Sequence, residues 1–587
     1  MRNGDIAQRS RLTRRTLLGG AVAGAAGAIL AACGGNPDAV PTSGGAASAT
    51  SAPGVTGTTG TTAPAANVAT APRPATSTPQ VVTNMAAATD EMPVRGGRLV
   101  VADSQGDQPL DPFKSPWHST AHFLVFTRYV EKAPDLKFVP ASFEIWTPSP
   151  DNKEITFKVR PGIKFSDGTP LDAAAVKFNI DRFIEPTRKS PGGSAFGPVK
   201  GVEATDAMTV KLRYDAPYAP IYEGLSGREI ASPAAVTKYG EDFTNNPVGA
   251  GPYIVKKQVP GNSIEYDRNP DYNWPAPFFK NRGPAYLDGV TIRAIKEDAT
   301  TWAALQAGEV HLGAIPTVYI KDAESNPNIT VHKRLDSGIR YLGFNCQKAP
   351  FDDVRVRQAI SHAIDRPSIV SNALDGYGEV LYTPMASAIA YSDNAAMEKI
   401  AYKFDPMMAK SKLREAGYDT TGPVATKNGQ PFETTLLVSN TDFFKRAGQI
   451  VQAQLKDVGI KVNIQITEGT ALNDATVAGT HQMFLQLYGS SDPSIMYYFF
   501  HSSRIKATNR AWFSTPEMDK LLDDGQAELD VAKQKEIYTK VQETVVKAAP
   551  WVTFCNPYAF TAIRKEVRGL IIHPQGGFLH HDAWLKR

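Results

Sequence analysis

The sequence predicts an α/β protein. Apolar residues recur at period two in some segments and at helical spacing in others, and the two kinds alternate along the chain. That alternation builds a sheet covered by helices. Ile155, Phe157 and Val159 alternate with Thr156, Lys158 and Arg160, the mark of a half-buried strand. Pro161-Gly162 and Asp167-Gly168 are turns, after which Asp172 caps a helix whose Val176, Ile180 and Ile184 share a face with Phe183 beside them. Val356, Ala359, Ile360, Ala363 and Ile364 follow the i, i+3, i+4, i+7, i+8 pattern, with Asp352 or Asp353 as the start and Pro367 as the stop or the next beginning. A helix between Gln449 and Val458 stops at Gly459 and feeds a strand of alternating Ile460, Val462, Ile464 and Ile466. Met483 to Tyr488 reads as a short buried strand.

The amino terminus reads differently. Arg14-Arg15 precede an apolar, Gly- and Ala-rich run that ends at Leu30-Ala31-Ala32-Cys33, which is the layout of an export signal of the twin-arginine type. The segment resembles a lipobox, so the mature chain would begin at a lipid-bearing Cys33. Leu17 to Ala32 is 16 residues, shorter than the roughly 20 that span a bilayer. Residues 1–33 are the signal. Residues 34–92, dominated by Ala, Gly, Ser, Thr and Pro, are expected to be a disordered tether, since they bury too little apolar surface to offset their conformational entropy. The whole chain has 63 Lys+Arg against 59 Asp+Glu, and the excess sits in the signal, where five arginines face Asp5 alone. The balance elsewhere argues against nucleic acid as a partner.

The body, about 95–587, is too long for one compact core. With Cys33 acylated, Cys346 and Cys555 remain, to be paired or to stay as two buried thiols.

Five ordered strings then carry a resemblance. They are Gly96-Gly97-Arg98-Leu99-Val100-Val101-Ala102 with Leu110-Asp111-Pro112; the run from Phe157 through Ser166-Asp167-Gly168-Thr169-Pro170-Leu171; Asn246-Pro247-Val248-Gly249-Ala250-Gly251-Pro252-Tyr253; Arg268-Asn269-Pro270-Asp271-Tyr272; and Phe351 to Ile360 with Ile364-Asp365-Arg366. Along nearly all of its folded length the chain resembles the extracellular solute-binding proteins of family 5, the peptide- and nickel-type receptors of ABC importers. The resemblance implies a two-lobed periplasmic-binding-protein-like fold (type II, large cluster C type) with an additional inserted domain. Lobe I would comprise 95–127, 235–345 and 555–587, the inserted domain 128–234, and lobe II 346–554. It also implies a monomer whose lobes close over a solute and then dock on membrane permease subunits powered by separate ATPase subunits. No cofactor and no catalysis are implied, and no phosphate-binding G-x-x-x-x-G-K-[ST] loop occurs.

Ligand contacts are expected from Tyr488-Gly489-Ser490-Ser491-Asp492. Peptide-binding members carry W-x-x-D-Y-x-[DE]-P there, the first Asp gripping the α-ammonium. Here Tyr488 stands at the Trp position and the stretch is about two residues shorter, so either Ser491 has replaced the acid or Asp492 serves after a backbone shift. The alternative is that Asp492 caps a helix and Tyr488 is core. Arg340 and Tyr341, at the passage between lobes, are second-tier candidates, and Trp117, Tyr129 and Tyr222 are stacking candidates. The two cysteines fall near the expected lobe crossings, where a bridge would limit opening if their Cα atoms lay within about 7 Å. His573, His580, His581 and His501 lack metal-site spacing, so no metal site is expected. A peptide is the expected solute; sugars, opines or metal chelates are the alternatives, as is a lipid-tethered sensor or folding helper without transport. A serine hydrolase, from Ser503-Arg504-Ile505-Lys506 alone, is the weakest reading, because its companion motifs are absent.

Overall fold

The computed structural model describes residues 91–104, 109–115, 119–187 and 190–587. The twin arginines, Cys33, the tether and Trp117 lie outside the described residues. The largest sheet has twelve strands. Its path runs Tyr253–Val259, Ser263–Arg268, Gly289–Ala294, Arg98–Asp103, Leu312–Ala314, Trp551–Arg564, Gly338–Phe344, Met483–Gly489, Glu433–Ser439 and Lys461–Thr467. Trp551–Arg564, at 14 residues, is the shared strand. Its far end pairs with Leu312–Ala314 and Ile329–Leu335, and its near end with Gly338–Phe344. The chain from Ile329 to Phe344 therefore runs antiparallel beside it across both halves of the sheet. Between the two pairings, Asn556 Nδ2 donates to the Asp336 and Gly338 carbonyls, both at 2.7 Å. The Asp336 N–H reaches the Pro557 carbonyl at 2.8 Å.

Each half has its own core. Leu99, Val101, Tyr266, Val290 and Ile292 pack one, and Ile360, Leu436, Val451, Leu455 and Leu485 the other. A separate sheet of four strands, ordered Phe143–Pro148, Glu154–Val159, Thr209–Tyr214 and Val199–Asp206, forms a third body around Phe143, Phe157, Phe196 and Leu212. In the chain it falls between the strands Arg98–Asp103 and Tyr253–Val259 of the large sheet.

The local signals explain these elements. Asp172 accepts the Ala175 N–H at 2.9 Å and caps Ala173–Ile184. Asp353, rather than Asp352, caps Val354–Ala363 through the Arg355 N–H at 2.8 Å, and Pro367 opens the next helix, Arg366–Ala373. The helix expected from Gln449 begins earlier, at Asp442, since Phe444 and Ala447 extend its buried face. Gly249 and Gly251 serve close approach: a Cβ at either would lie 2.3 to 2.5 Å from the Val125 backbone. Neither has a positive φ, so missing space, and not a tight bend, requires glycine there. Ser166 N–H reaches the Gly249 carbonyl at 2.9 Å and Ser232 Oγ the Asp167 carboxylate at 2.6 Å, joining two of the motif strings. Buried Asp111 binds Arg182 through both oxygens, at 2.9 and 2.7 Å, fastening the four-stranded body to the large sheet.

Candidate functional site

The strand Met483–Gly489 is central in its sheet half, and its exposed end, Gly489, begins a tight loop. Ser490 Oγ receives the Asp492 N–H and donates to the Asp492 carbonyl, both at 3.1 Å. Asp492 Oδ1 accepts the Ser494 N–H at 2.7 Å, an Asx turn just before the helix Ile495–Phe500. The loop thereby presents Ser491 and the Asp492 carboxylate outward from the sheet.

Opposite stands the four-stranded body. Ser491 Oγ donates to one carboxylate oxygen of Glu223, on the helix Ile221–Ser226, and Lys132 pairs with the other. Lys132 Nζ also donates to Gln575 Oε1 at 3.2 Å, and Gln575 Nε2 returns to the Ser491 carbonyl at 2.9 Å. Ser491, Glu223, Lys132 and Gln575 thus close a ring of hydrogen bonds drawn from four chain segments. The Lys132 and Glu223 side chains retain only 10% and 20% exposure, so the pair is little screened. Gln575 sits at a hairpin tip between Ile571–Ile572 and Phe578–Leu579, turned by Gly576 and Gly577 at φ of 101° and 87°. The tip is held by the His573 N–H to the Gly577 carbonyl, 3.1 Å, and by the Gln575 N–H to His573 Nδ1, 3.2 Å.

Burial, and next the charge of Glu223, push the Asp492 carboxyl up to about 6, although the Ser494 hydrogen bonds and Lys132 pull it down. Lys132 balances one of these two carboxylates, and the pair together favours a cation. Tyr218 and Tyr538 stand close enough for the Asp492 charge to add to the burial that raises both hydroxyls. Near this ring, the Ala219 N–H bonds the Gln526 carbonyl at 2.8 Å, a second link between the four-stranded body and the far sheet half.

The expected contact residues divide. Ser491 and Asp492 lie in the cluster, with Gly489 and Ser490 shaping its loop. Tyr488 and Tyr341 do not face it. Tyr488 is buried, with its hydroxyl on the Pro384 carbonyl and its ring 4.7 Å from Phe499. Tyr341 is wholly buried and stacks on Trp551 at 4.0 Å. Both belong to the apolar core because they alternate inward on adjacent paired strands. Arg340 reaches Asp336 at 3.5 Å, beside the strand crossing, and is not among the residues of the ring. Tyr129 is buried in the four-stranded body.

No bridge joins the cysteines; both are free. Register explains it: Cys555 pairs opposite Arg340, whereas Cys346 lies beyond Phe344 at the strand's end. The four residue steps of strand from Arg340 to Phe344, at about 3.3 Å each, alone put roughly 13 Å between them, beyond the reach of a disulfide. Burial pushes the Cys346 thiol up to about 11 and Cys555 to about 12. His581 packs against Tyr272 and Phe279, each at 5.1 Å, with Nε2 at 3.0 Å from the Asn281 carbonyl, and His573 braces the Gln575 hairpin. Among the described residues no group of three or more His, Cys, Asp or Glu is placed to hold a metal. Ser503 and Lys506 are not one α-helical turn apart: Ser502–Arg504 is a single 3₁₀ turn and Lys506 has a φ of 63°.

Sequence reasoning missed Lys132, Glu223 and Gln575. Only the paired glycines after Gln575 mark anything locally, and what they mark is a turn.

Known proteins align with this architecture. The model for "Bacterial extracellular solute-binding proteins, family 5 Middle" matches residues 137–507. The glutathione-binding protein GsiB of Escherichia coli (strain K12) is 30% identical over 510 residues, covering 83% of this chain and 94% of that protein. The oligopeptide-binding protein AppA from Bacillus subtilis, solved with a nonapeptide, superposes with a TM-score of 0.68 at 25% identity, over 84% of this chain and all of that one. NikA from Brucella suis, solved with Fe(III)-EDTA, shares the fold with a TM-score of 0.72 at 23% identity, over 84% and 100%. Two sheet halves with separate cores, a shared crossing strand and these matches lead to one assignment: the chain is a two-lobed α/β protein and belongs to the bacterial extracellular solute-binding proteins, family 5.

Proposed function

We propose that this protein is a lipid-anchored extracytoplasmic receptor that captures a small peptide, delivering it to the permease of an ABC importer. The observation that carries the peptide reading is the acidic pair of Asp492 and Glu223 where the lobes and the inserted body meet. A free amino terminus is the cation that this pair favours, and a charge-assisted bond in a little-screened site is strong. The glutathione- and oligopeptide-binding relatives support the same class, since both ligands carry an α-ammonium. In this reading the sheet half containing Met483–Gly489 is one lobe and the half containing Arg98–Asp103 the other. Asp336, Ser337 and Asn556 lie at the crossing about which they turn. The Arg14-Arg15 signal and Cys33 support export and a lipid anchor, and the Ala/Ser/Thr/Pro-rich stretch a tether.

The test is a thermal-shift screen of the purified chain with short peptides, glutathione, sugars, opines and metal chelates. A ligand that binds only the folded state raises Tm by mass action, about 2.7 kcal/mol at a hundredfold excess over Kd. We expect peptides with a free amino terminus to raise Tm and their N-acetylated forms to fail. Stabilisation by sugars, opines or chelates alone overturns the peptide reading.

A further inference from the structure

A cavity of about 540 Å³ opens beside the ring, on the inserted body. Phe138, Trp146, Pro148, Asn152 and Tyr222 line it from that body, and Leu529 of the far lobe completes it. Its volume is that of a small-molecule pocket. Tyr222 joins the aromatic wall, its ring centroid 6.0 Å from Phe138 and 6.1 Å from Trp146, with planes tilted at 36° and 43°. All three rings are half-buried and so keep apolar surface to offer. Lys137 is already paired with Asp135 at 2.8 Å and leaves the wall without an unbalanced cation.

Two relations bring the wall of this cavity near the polar ring. Lys132, whose ammonium holds Glu223, lies with that ammonium 5.3 Å from the Phe138 ring centroid. Tyr222 directly precedes Glu223 on the same short helix. The aromatic wall therefore begins within one side chain of the ammonium that holds Glu223. Leu529 belongs to the segment after Gln526, whose carbonyl holds the Ala219 N–H, so the far lobe borders the open pocket beside that contact.

We infer that this pocket is a side-chain subsite on the inserted domain, taking an aromatic or large aliphatic side chain of the solute whose ammonium sits at Asp492 and Glu223. The inference rests on the peptide reading above and adds what that reading lacks, a preference among peptides and a binding role for the inserted domain. An apolar side chain fits because three rings and a leucine face the space. Asn152 and the Tyr222 hydroxyl supply the few polar groups that such a pocket carries.

The test is calorimetric titration of the full chain with trialanine and with tripeptides in which one alanine at a time becomes phenylalanine. One position should bind about tenfold tighter, the worth of burying much of a phenyl ring. Trp146→Ala and, on the opposite lobe, Leu529→Asp should each abolish that gain while leaving the trialanine Kd within about twofold, a change too small for a lost buried contact. The Leu529 variant leaves the inserted body intact, so the result does not hinge on the folding of Trp146→Ala. No phenylalanine preference at any position, or a preference that survives both variants, overturns the subsite while the peptide reading stands. If no peptide binds, the peptide reading fails first, and p-cresol, a ring without an ammonium, decides the pocket. Saturable quenching of tryptophan emission that disappears in both variants supports it, and its absence overturns it.

Discussion

At the scale of single residues, Asp492 does two jobs with one carboxylate. Oδ1 closes the turn ahead of a helix while the group as a whole contributes negative charge beside Glu223. Its pKa of about 6 gives a sign to the pH dependence of binding. A bound ammonium needs the ionised form, so affinity should be constant above about pH 6.5 and fall as pH drops through 6, by at most tenfold per unit for one proton. Asp492→Asn should flatten that slope and weaken binding of the free-amine peptide; a slope unchanged in this variant would assign it to another group. Gln575 supports the site differently, by joining Lys132 to the Ser491 carbonyl. Gln575→Ala should weaken peptide binding about fivefold to tenfold, the value of about 1 kcal/mol per hydrogen bond, with little change in Tm because the half-buried side chain frees its partners to water. The Cys555 thiol should resist maleimide in the native chain and react in denaturant, because burial raises it and limits access, whereas half-buried Cys346 is held back by its raised thiol alone. Ready labelling of the native form would contradict the burial.

At the scale of elements, the crossing strands and the motif strings matter most. Asn556 bonds two carbonyls where Ile329–Leu335 gives way to Gly338–Phe344. Asn556→Ala strands both in a buried position, so denaturant unfolding should lose about 2–3 kcal/mol. The Asp111–Arg182 pair ties the four-stranded body down, and Asp111→Asn should cost about 3 kcal/mol by leaving a guanidinium poorly compensated. The motif strings do comparable structural work: the Ser166 N–H bonds the Gly249 carbonyl, the Gly251 N–H bonds the Val125 carbonyl, and Asp167 accepts from Ser232. They hold the fold through packing between segments that each read locally, which is why the motifs were legible while the ring at Ser491, drawn from distant segments, was not.

At the scale of the whole molecule, buried neutral histidines set the acid limit. Burial lowers His481, His573 and His580 to about 4. In the unfolded chain they titrate near 6.5, so between 6.5 and 4 the unfolded state binds more protons. Stability should therefore be full above about pH 7 and decline as pH falls, by on the order of 2–3 kcal/mol per histidine by pH 4. Asp492, whose folded pKa is raised, acts in the opposite direction over part of that window. Chemical denaturation at pH 7.5 and 5 should show the loss, and replacing His580 by Gln should reduce it.

The sequence by itself determined the α/β class, the cap at Asp172, a helix starting at Asp352 or Asp353, a strand from Met483 to Tyr488 and the family resemblance, and the structure chose Asp353. Each depends on periodicity or on spacing within a few residues, which a linear reading captures. The tertiary structure alone decided which side chains meet. Ser491 lies 268 residues from Glu223, and Lys132 lies 443 from Gln575. It also turned Tyr341 and Tyr488 inward, since period two says that alternate residues share a face but not which face is buried against the next layer. Cys346 and Cys555 were held apart by register, a property of the pairing between two strands that neither strand encodes alone.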